Sequence, residues 1–430
     1  MNTAPLLLCA ALTAGVAPAA IGADDLLDLF RLAARADATL QGARADLNAA
    51  RESGPIARAA RQPQAALSGA GTLIVSDSAA DNTGRHQYSV QLTQPLYENR
   101  LAANVQIAAA TAGQAQARYD ASEQNLILRV AQAYFDVLAA QDTLVFTNTD
   151  QAAIERQLEQ AQKRYEVGLI AITDVHEAQA RFDLAAAAQI TAQNTVDSAL
   201  AALQVIIATR PNALKTMSDR LLLAKPDPID LDAWIARAKT DNLNLMAAAE
   251  NARRARANIR AQGFGSHPTI DLVVAHSHSQ TFGGRSAGST DNTVGVQLNW
   301  PLYTSGGTAA RVRQAEHQLT AALAEVEQTR RAVMQQTSDA YRGVLAGISR
   351  VKALRQAVIS NTSALAATEA GFDVGARTIV DVLNAERNLG SAIRDFKRAR
   401  YDYVLATLSL KQAAGNLAIA DLAAINGWLD

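Results

Sequence analysis

Two long stretches of the chain carry apolar residues at steps of three and four. In the first, Ile127, Val130, Tyr134, Val137, Gln141 and Leu144 mark one stripe. In the second, Thr337, Val344, Val351, Val358 and Leu365 stand seven apart, with Tyr341, Ile348, Arg355 and Thr362 as the interleaved row. Heptad spacing of this kind predicts helices wound around one another. Proline leaves both stretches alone: the ten prolines fall at 5, 18, 55, 63, 95, 211, 226, 228, 268 and 301. One proline in a helix interior costs about 3 kcal/mol, so gaps of this length permit very long helices. A helix from Leu101 to Arg164 reaches roughly 95 Å at about 1.5 Å per residue. That is too long for a compact domain.

Ahead of each long helix the period changes to two. Tyr88, Val90 and Leu92 alternate with Ser89, Gln91 and Thr93, and Val294, Val296, Leu298 and Trp300 with Thr293, Gly295, Gln297 and Asn299. Leu67, Gly69, Gly71, Leu73 and Val75 face away from Ala66, Ser68, Ala70 and Thr72, as Ile270, Leu272 and Val274 do from Asp271, Val273 and Ala275. Segments of about ten residues with one apolar and one polar face are the signature of a membrane barrel. Polar runs, Ser76 to Gly84 and Gly283 to Asn292, read as the turns within each pair. Tyr97, Trp300 and Tyr303 sit at strand ends, where an interfacial aromatic girdle lies. A soluble sheet packed on helices would alternate in the same way, but helices this long cannot simply cover four strands. Four strands cannot close a membrane barrel either, since about eight are needed. The chain must therefore oligomerise. Two copies give eight strands and a filled lumen, and three give twelve and an open one.

The chain also repeats itself. Ala133-Tyr134 matches Ala340-Tyr341 at an offset of 340 − 133 = 207, and Val167-Gly168 with Val374-Gly375 and Asp174-Val175 with Asp381-Val382 keep that offset. Gln91-Leu92 and Pro95-Leu96-Tyr97 match Gln297-Leu298 and Pro301-Leu302-Tyr303. Duplication of this length predicts two equivalent units. The first spans 24–210, with a strand pair near 63–97 and a tip near 168. A linker follows at 211–230. The second unit spans 231–430, with a strand pair near 268–303 and a tip near 375.

Composition narrows the function. The net charge of −1 gives no reason to expect nucleic acid. Only 5% of residues are aromatic, which suits closely packed, alanine-rich helices. Pro5 to Ala20 is apolar and too short to span a bilayer, and 1–23 reads as a secretory signal, although no Lys or Arg precedes it. The one cysteine, Cys9, lies inside this segment. Leu8 before it argues against a lipid anchor, and the mature chain would have no disulfide. No later stretch is apolar enough for a transmembrane helix, so any membrane span must be made of strands. Walker, GxSxG and HExxH motifs are missing, and an enzyme is not expected. His276 and His278 share one strand face but lack a clear third ligand for a metal. No cofactor is expected.

Two hairpin junctions carry a resemblance. Arg164-Tyr165-Glu166-Val167-Gly168-Leu169-Ile170-Ala171-Ile172-Thr173-Asp174-Val175 and Gly371-Phe372-Asp373-Val374-Gly375-Ala376-Arg377-Thr378-Ile379-Val380-Asp381-Val382-Leu383 both resemble the periplasmic tips of TolC-type outer-membrane efflux proteins. The likeness covers nearly the whole mature chain in order, and the missing anchor cysteine is closer to the type I secretion branch. It implies a mainly α, α+β membrane protein. Three protomers would build a twelve-stranded transmembrane barrel continued by an α-helical coiled-coil tunnel in the periplasm, with the linker as an equatorial band. It implies a passive exit duct in the outer-membrane lipid, joined by a periplasmic adaptor (membrane fusion) protein to an inner-membrane pump of ABC or RND type.

The resemblance also implies site residues. A latch holding the tunnel shut would comprise Gln157, Thr173 and Asp174 on the first hairpin, with Arg377 and Phe372 on the second. Arg377 is the natural clasp, because a guanidinium donates several directed hydrogen bonds. The family commonly has tyrosine where this chain has Phe372, so one latch bond, worth about 0.5–1.5 kcal/mol, is expected to be missing per protomer. Asp381 would form a ring of three carboxylates at the narrowest point, and Asn384 stands where a second aspartate is common. The tips Val167, Gly168 and Leu169, with Val374 and Gly375, would meet the adaptor. Only the second hairpin carries both Arg377 and Asp381, so it is expected to be the moving gate. The plainer reading of these residues is capping, since Thr378 with Asp381 and Asp174 with Glu177 both fit a capping-box spacing. The alternative function is a non-conducting coiled-coil periplasmic spacer or adaptor, which leaves the amphipathic strands unexplained.

Overall fold

The computed structural model describes residues 23–75, 83–218, 220–283 and 287–430. The expected signal segment, apart from Ala23, lies outside them. The first half consists of α1 (Leu26–Ala36), α2 (Ala38–Ala59), β1 (Gln64–Ile74), β2 (Thr83–Tyr97), α3 (Asn99–Glu166) and α4 (Ile172–Ile207). The second half repeats that order with α5 (Leu231–Asp241), α6 (Leu243–Gly263), β3 (Thr269–Phe282), β4 (Ala287–Asn299), α7 (Gly307–Asp373) and α8 (Ile379–Ala413), and α9 (Ile419–Asn426) closes the chain. The two outgoing helices, α3 with 68 residues and α7 with 67, each reach roughly 100 Å at about 1.5 Å per residue. Each packs along its own return helix, α3 on α4 and α7 on α8.

The halves share small devices as well as order. Asp37 ends α1 and caps α2, accepting a hydrogen bond from the Leu40 amide at 2.8 Å. Asn242 does the same between α5 and α6, accepting from the Asn244 and Leu245 amides at 3.1 Å each. Both return helices end in a left-handed residue, Ala208 at φ 57° and Gly415 at φ 79°. At 415 only glycine fits. A Cβ there would stand 2.1 Å from the Asp241 carbonyl oxygen, which is backbone and cannot give way.

The core sits at mid-height, where α1, α9 and the 211–230 segment wrap the long helices. Leu26, Phe30, Val130, Tyr134, Phe135 and Leu408 are buried there. The segment is held by a parallel bridge between Asp24 and Leu214 and an antiparallel one between Met217 and Leu429. The heptad row of α7 is buried at Thr337, Tyr341, Val344, Ile348 and Val351. Towards the tip it becomes half-buried at Val358 and Leu365. A single protomer therefore leaves the lower part of its own stripe uncovered.

The four strands form one antiparallel sheet in the order β1-β2-β3-β4. Both edges are open, and β1 and β4 are exposed along their whole length. Among the described residues no helix covers either face. One face carries Leu67, Val90, Leu92, Val274 and Val296 in register, and the other Ser68, Ser89, Gln91, Ser277 and Gln297. Ala287 to Asn292, read above as turn, belong to β4. They pair with Thr281 back to His276, because the ladder and side-chain bonds such as His276 Nδ1 to Asn292 Oδ1 at 2.7 Å hold polar residues in extended form. Among the described residues no helix is long and apolar enough to cross a membrane.

One buried ion pair gives a pH prediction. Asp37 is 6% exposed and meets the Arg129 fork at 3.0 and 2.9 Å. Burial by itself raises its pKa, but the Arg129 guanidinium and the Leu40 amide outweigh that and hold it below the usual carboxylate value. Its contribution is thus complete above the unfolded value of about 3.9 and is lost as pH falls through the lower, folded value. The dissociation temperature of the assembled protein is expected to drop steeply below about pH 4. Asp37→Asn, which removes a charged hydrogen-bond pair worth about 1.5–3 kcal/mol, should lower it at neutral pH and flatten the acid limb. An unchanged acid limb in the variant would show that other carboxylates carry it.

Candidate gate at the helical tips

The two tips use one backbone solution. At the first, the Gly168 amide donates to Tyr165 O at 2.8 Å and the Leu169 amide to Arg164 O at 2.9 Å. At the second, the Gly375 amide donates to Phe372 O at 2.9 Å and the Ala376 amide to Gly371 O at 2.7 Å. These Schellman closures need a left-handed residue. Gly168 at φ 76° and Gly375 at φ 74° supply it. Val167, Leu169 and Val374 are thereby displayed to solvent at 69%, 73% and 80% exposure, which is unusual for large apolar side chains with no structural partner.

The return helices begin differently. Thr378 caps α8 in a full capping box: its amide and hydroxyl both donate to Asp381 Oδ2 at 2.9 Å, and the Asp381 amide donates back to Thr378 Oγ1 at 3.3 Å. The Thr378 backbone amide, then its hydroxyl, hold the Asp381 carboxyl below its ordinary pKa, and nearby Arg377 adds to this. The equivalent cap of α4 is Ala171, which has no side chain to offer. The capping box read from Asp174 and Glu177 is therefore not formed. Asp174 instead occupies the position of Asp381, three residues after the cap, and its carboxylate accepts no hydrogen bond among the described residues.

Gln157 and Asp174 come together in a groove of about 260 Å³ between the hairpins, with Arg164 and Arg181 on one wall and Ile379 and Val380 of α8 on the other. Arg377 is not in that groove. Its stem lies across Gly371, where a Cβ would meet Arg377 Cγ at 2.8 Å, and it makes no hydrogen bond with Thr173 or Asp174. Phe372 is 37% exposed at the end of α7. Asp381 is half-buried and Asn384 exposed one turn further along α8. Within one protomer, then, the two halves of the expected latch face solvent and are not joined.

Above the tips, α8 is fastened to α3. Lys397 Nζ reaches Asp142 Oδ1 at 2.6 Å, and the Tyr401 hydroxyl donates to Asp142 Oδ2 at 2.7 Å. Burial first, then the Asp142 carboxylate, push the Tyr401 pKa well above the ordinary tyrosine value, so the hydroxyl stays a donor. Arg398 pairs with Asp136 at 3.1 Å and Arg387 with Asp150 at 3.7 Å. Between these ties Arg394 covers the Phe146 ring at 4.8 Å, and Gly390 leaves the space that the ring fills. Among the described residues the side-chain ties between α8 and α3 stop at Arg387. Sequence reasoning missed this clamp. Its faint signal was Asp136 and Asp150, two heptads apart (150 − 136 = 14), facing a basic stripe on α8.

The chain matches the family described as outer membrane efflux protein over residues 29–209 and 234–416. It is 37% identical to the outer membrane protein TolC of Vibrio cholerae serotype O1, covering 99% of this chain and 98% of that one. It is 34% identical to the outer membrane protein TolC of Escherichia coli strain K12, covering 95% and 85%. Its fold matches the Campylobacter jejuni CmeC outer membrane channel with a TM-score of 0.77 at 13% identity, covering 94% of this chain and 90% of that one. The duplicated order of strand pair and long hairpin, the uncovered amphipathic sheet and these similarities agree: the chain belongs to the outer membrane efflux protein family.

Proposed function

We propose that three copies of this chain close edge to edge, β4 of one against β1 of the next, into a twelve-stranded barrel continued by a helical tunnel. The observation that carries this is the sheet with two open edges and no helix over either face. Unpaired strand edges do not persist in hydrocarbon, and three sheets of four strands close a barrel wide enough for an open lumen. The chain is an outer-membrane channel of an efflux or secretion system, with its helical part in the periplasm, and not an enzyme.

The tunnel is closed at its lower end and opens when a periplasmic adaptor and an inner-membrane pump of ABC or RND type engage it. The latch joins the second hairpin of one protomer to the first hairpin of its neighbour. Arg377 donates there to Asp174 and Thr173, with Gln157 beside them. In support, Asp174 and Arg377 are both exposed and unjoined within the protomer, and Ala171 leaves Asp174 without a cap to satisfy. Phe372 keeps the ring of the family's tyrosine without its hydroxyl, so the closed state is held less tightly. The exposed Val167, Leu169 and Val374, with the turns at Gly168 and Gly375, form the adaptor-docking rim.

Asp381 supplies the ring of charge and Asn384 none. Purified protein in planar bilayers is expected to give small, mostly closed, cation-preferring currents. Asp381→Asn keeps an oxygen for the cap and removes the charge. It should reduce the cation preference by about fivefold, because a ring of carboxylates lining a pore attracts passing cations. Because Asp381 is held low by its cap, the wild-type preference should persist to mildly acid pH and fade only as pH drops through the carboxylate range. Protein recovered as a soluble monomer, with no bilayer current, would overturn the reading as a channel.

A further inference from the structure

The register of the sheet divides its apolar face into two halves. Near the helices the face is hydrocarbon-like, with Leu92, Leu272, Val274, Val294, Val296 and Leu298 on neighbouring strands, and Val90, whose partner on β3 is His276, marks the change. Towards the two turns the same face changes character. Tyr88 and His86 follow Val90 on β2, and His276 and His278 follow Val274 on β3, with Phe282 last. The rings touch across the two strands: Tyr88 stacks on His278 at 5.2 Å and lies 6.1 Å from His276, and His86 lies 6.4 Å from His278 and 5.5 Å from Phe282. Phe282 in turn covers Gly84, where a Cβ would collide with its ring.

The two imidazoles of β3 are each anchored through one ring nitrogen. His276 Nδ1 bonds to Asn292 Oδ1 at 2.7 Å and His278 Nδ1 to Thr290 Oγ1 at 2.8 Å. Because an amide oxygen accepts, Asn292 makes Nδ1 the proton-bearing nitrogen of neutral His276 and leaves Nε2 free. A polar nitrogen bared to hydrocarbon is costly, so the row belongs at headgroup depth. On β1, Gly69 and Gly71 stand opposite Tyr88 and His86. A Cβ on Gly71 would meet nothing within 4 Å, so the flank of this ring row is open. The row lies on the two central strands, and closure through β1 and β4 does not cover it.

No Asp, Glu, Lys or Arg shares this face among the described strand residues. Arg85, Asp271 and Asp291 all point to the opposite face. Asp77, Asp81 and Arg285 belong to the turn sequences outside the described residues. His86, His276, His278 and Tyr88 are therefore the titratable groups here, and histidine is the side chain that gains a positive charge on mild acidification. A protonated imidazole beside a tyrosine hydroxyl offers charge-assisted donors to an anionic oxygen, with no competing carboxylate.

We propose that His86, Tyr88, His276 and His278 form a belt that binds the phosphate-bearing headgroups of outer-leaflet lipid, and binds them more tightly as the imidazoles take up protons. The inference rests on outer-membrane placement and on the sheet register. It does not depend on the gate. The test titrates the full-length assembled protein in detergent with bisphosphorylated lipid A and counts bound lipid by native mass spectrometry. Binding at about pH 5.5 should be at least about fivefold tighter than at about pH 8, in line with one or more basic groups facing an anionic lipid surface. The combined His86→Gln, His276→Gln and His278→Gln variant should bind equally at both pH values. Dephosphorylated lipid A should show no pH effect, and inorganic phosphate at the same concentration should neither bind nor compete. Wild-type binding that ignores pH, a triple variant that keeps the pH effect, an equal effect with dephosphorylated lipid, or competition by inorganic phosphate would each overturn the proposal. If the triple variant does not assemble, the single variants His86→Gln and His278→Gln decide it, each losing about half of the pH effect.

Discussion

Arg377→Ala is expected to turn a mostly closed channel into one that is open much of the time. Arg377 is exposed at the tip, and so are its intended acceptors Thr173 and Asp174. A solvent-exposed pair of this kind contributes about 1 kcal/mol at most. In the proposed trimer three such latches together would give roughly 3 kcal/mol, and each 1.4 kcal/mol or so is a factor of ten. The ratio of open to closed time should thus rise by roughly a hundredfold. Single-channel recording before and after the substitution measures this directly. Arg377→Lys keeps the charge but not the fork and should recover only part of the closure. The hydrogen bonds of the tip turn are backbone ones and involve no Arg377 side-chain atom, so the variant should fold normally. An open probability that stays at the wild-type value would remove Arg377 from the latch.

Asp142→Ala carries the second large effect, on stability. The Asp142 side chain is 15% exposed and is the acceptor for two groups at once, Lys397 Nζ and the Tyr401 hydroxyl. Tyr401 is buried at 4% exposure, whereas Lys397 keeps 42% of its side chain in solvent. The lysine can return to water at little cost. The hydroxyl cannot, and a buried donor left unsatisfied costs about 1–3 kcal/mol. With the lost pair, the total should be about 2–4 kcal/mol per protomer. The heat-dissociation temperature of the assembled protein reads it out. Asp142→Asn retains an acceptor for Tyr401 and should recover more than half of the loss. Equal losses for Ala and Asn would mean that charge, not the tyrosine bond, dominates. Both variants should also increase leak through the channel, because the Asp142 tie is one of those that fasten α8 to α3 above the tip.

The long helices were legible because heptad periodicity is local. Thr337, Val344 and Val351 announce a buried stripe whatever it packs against, and they are buried. The strands were legible for the same reason, but their ends were not. Thr290 and Asn292 look like turn residues by propensity, yet β4 includes them because their side chains bond to histidines on the next strand. Propensity yields to a tertiary contact here. The tips were legible through Gly168 and Gly375, since a left-handed residue is a steric requirement of the turn itself. The difference between the two hairpins was only half visible. Thr378 with Asp381 reads as a cap, and it is one. Asp174 with Glu177 reads as another, and the helix starts too early for it to form.

What the chain's sequence determined by itself is everything that repeats at short range or along its length. That includes the helical stripes, the alternating strands, the turn glycines, the duplication and, from these, the family. What only the tertiary structure decided is which distant groups meet. Asp142 and Lys397 lie 255 residues apart, and no spacing rule pairs them. His86 and His278 share a ring row only because β2 and β3, from different halves, are neighbours in the sheet. Periodicity follows from the geometry of a single helix or strand. Pairing follows from how separate elements are brought together, and that depends on the energy of the whole fold.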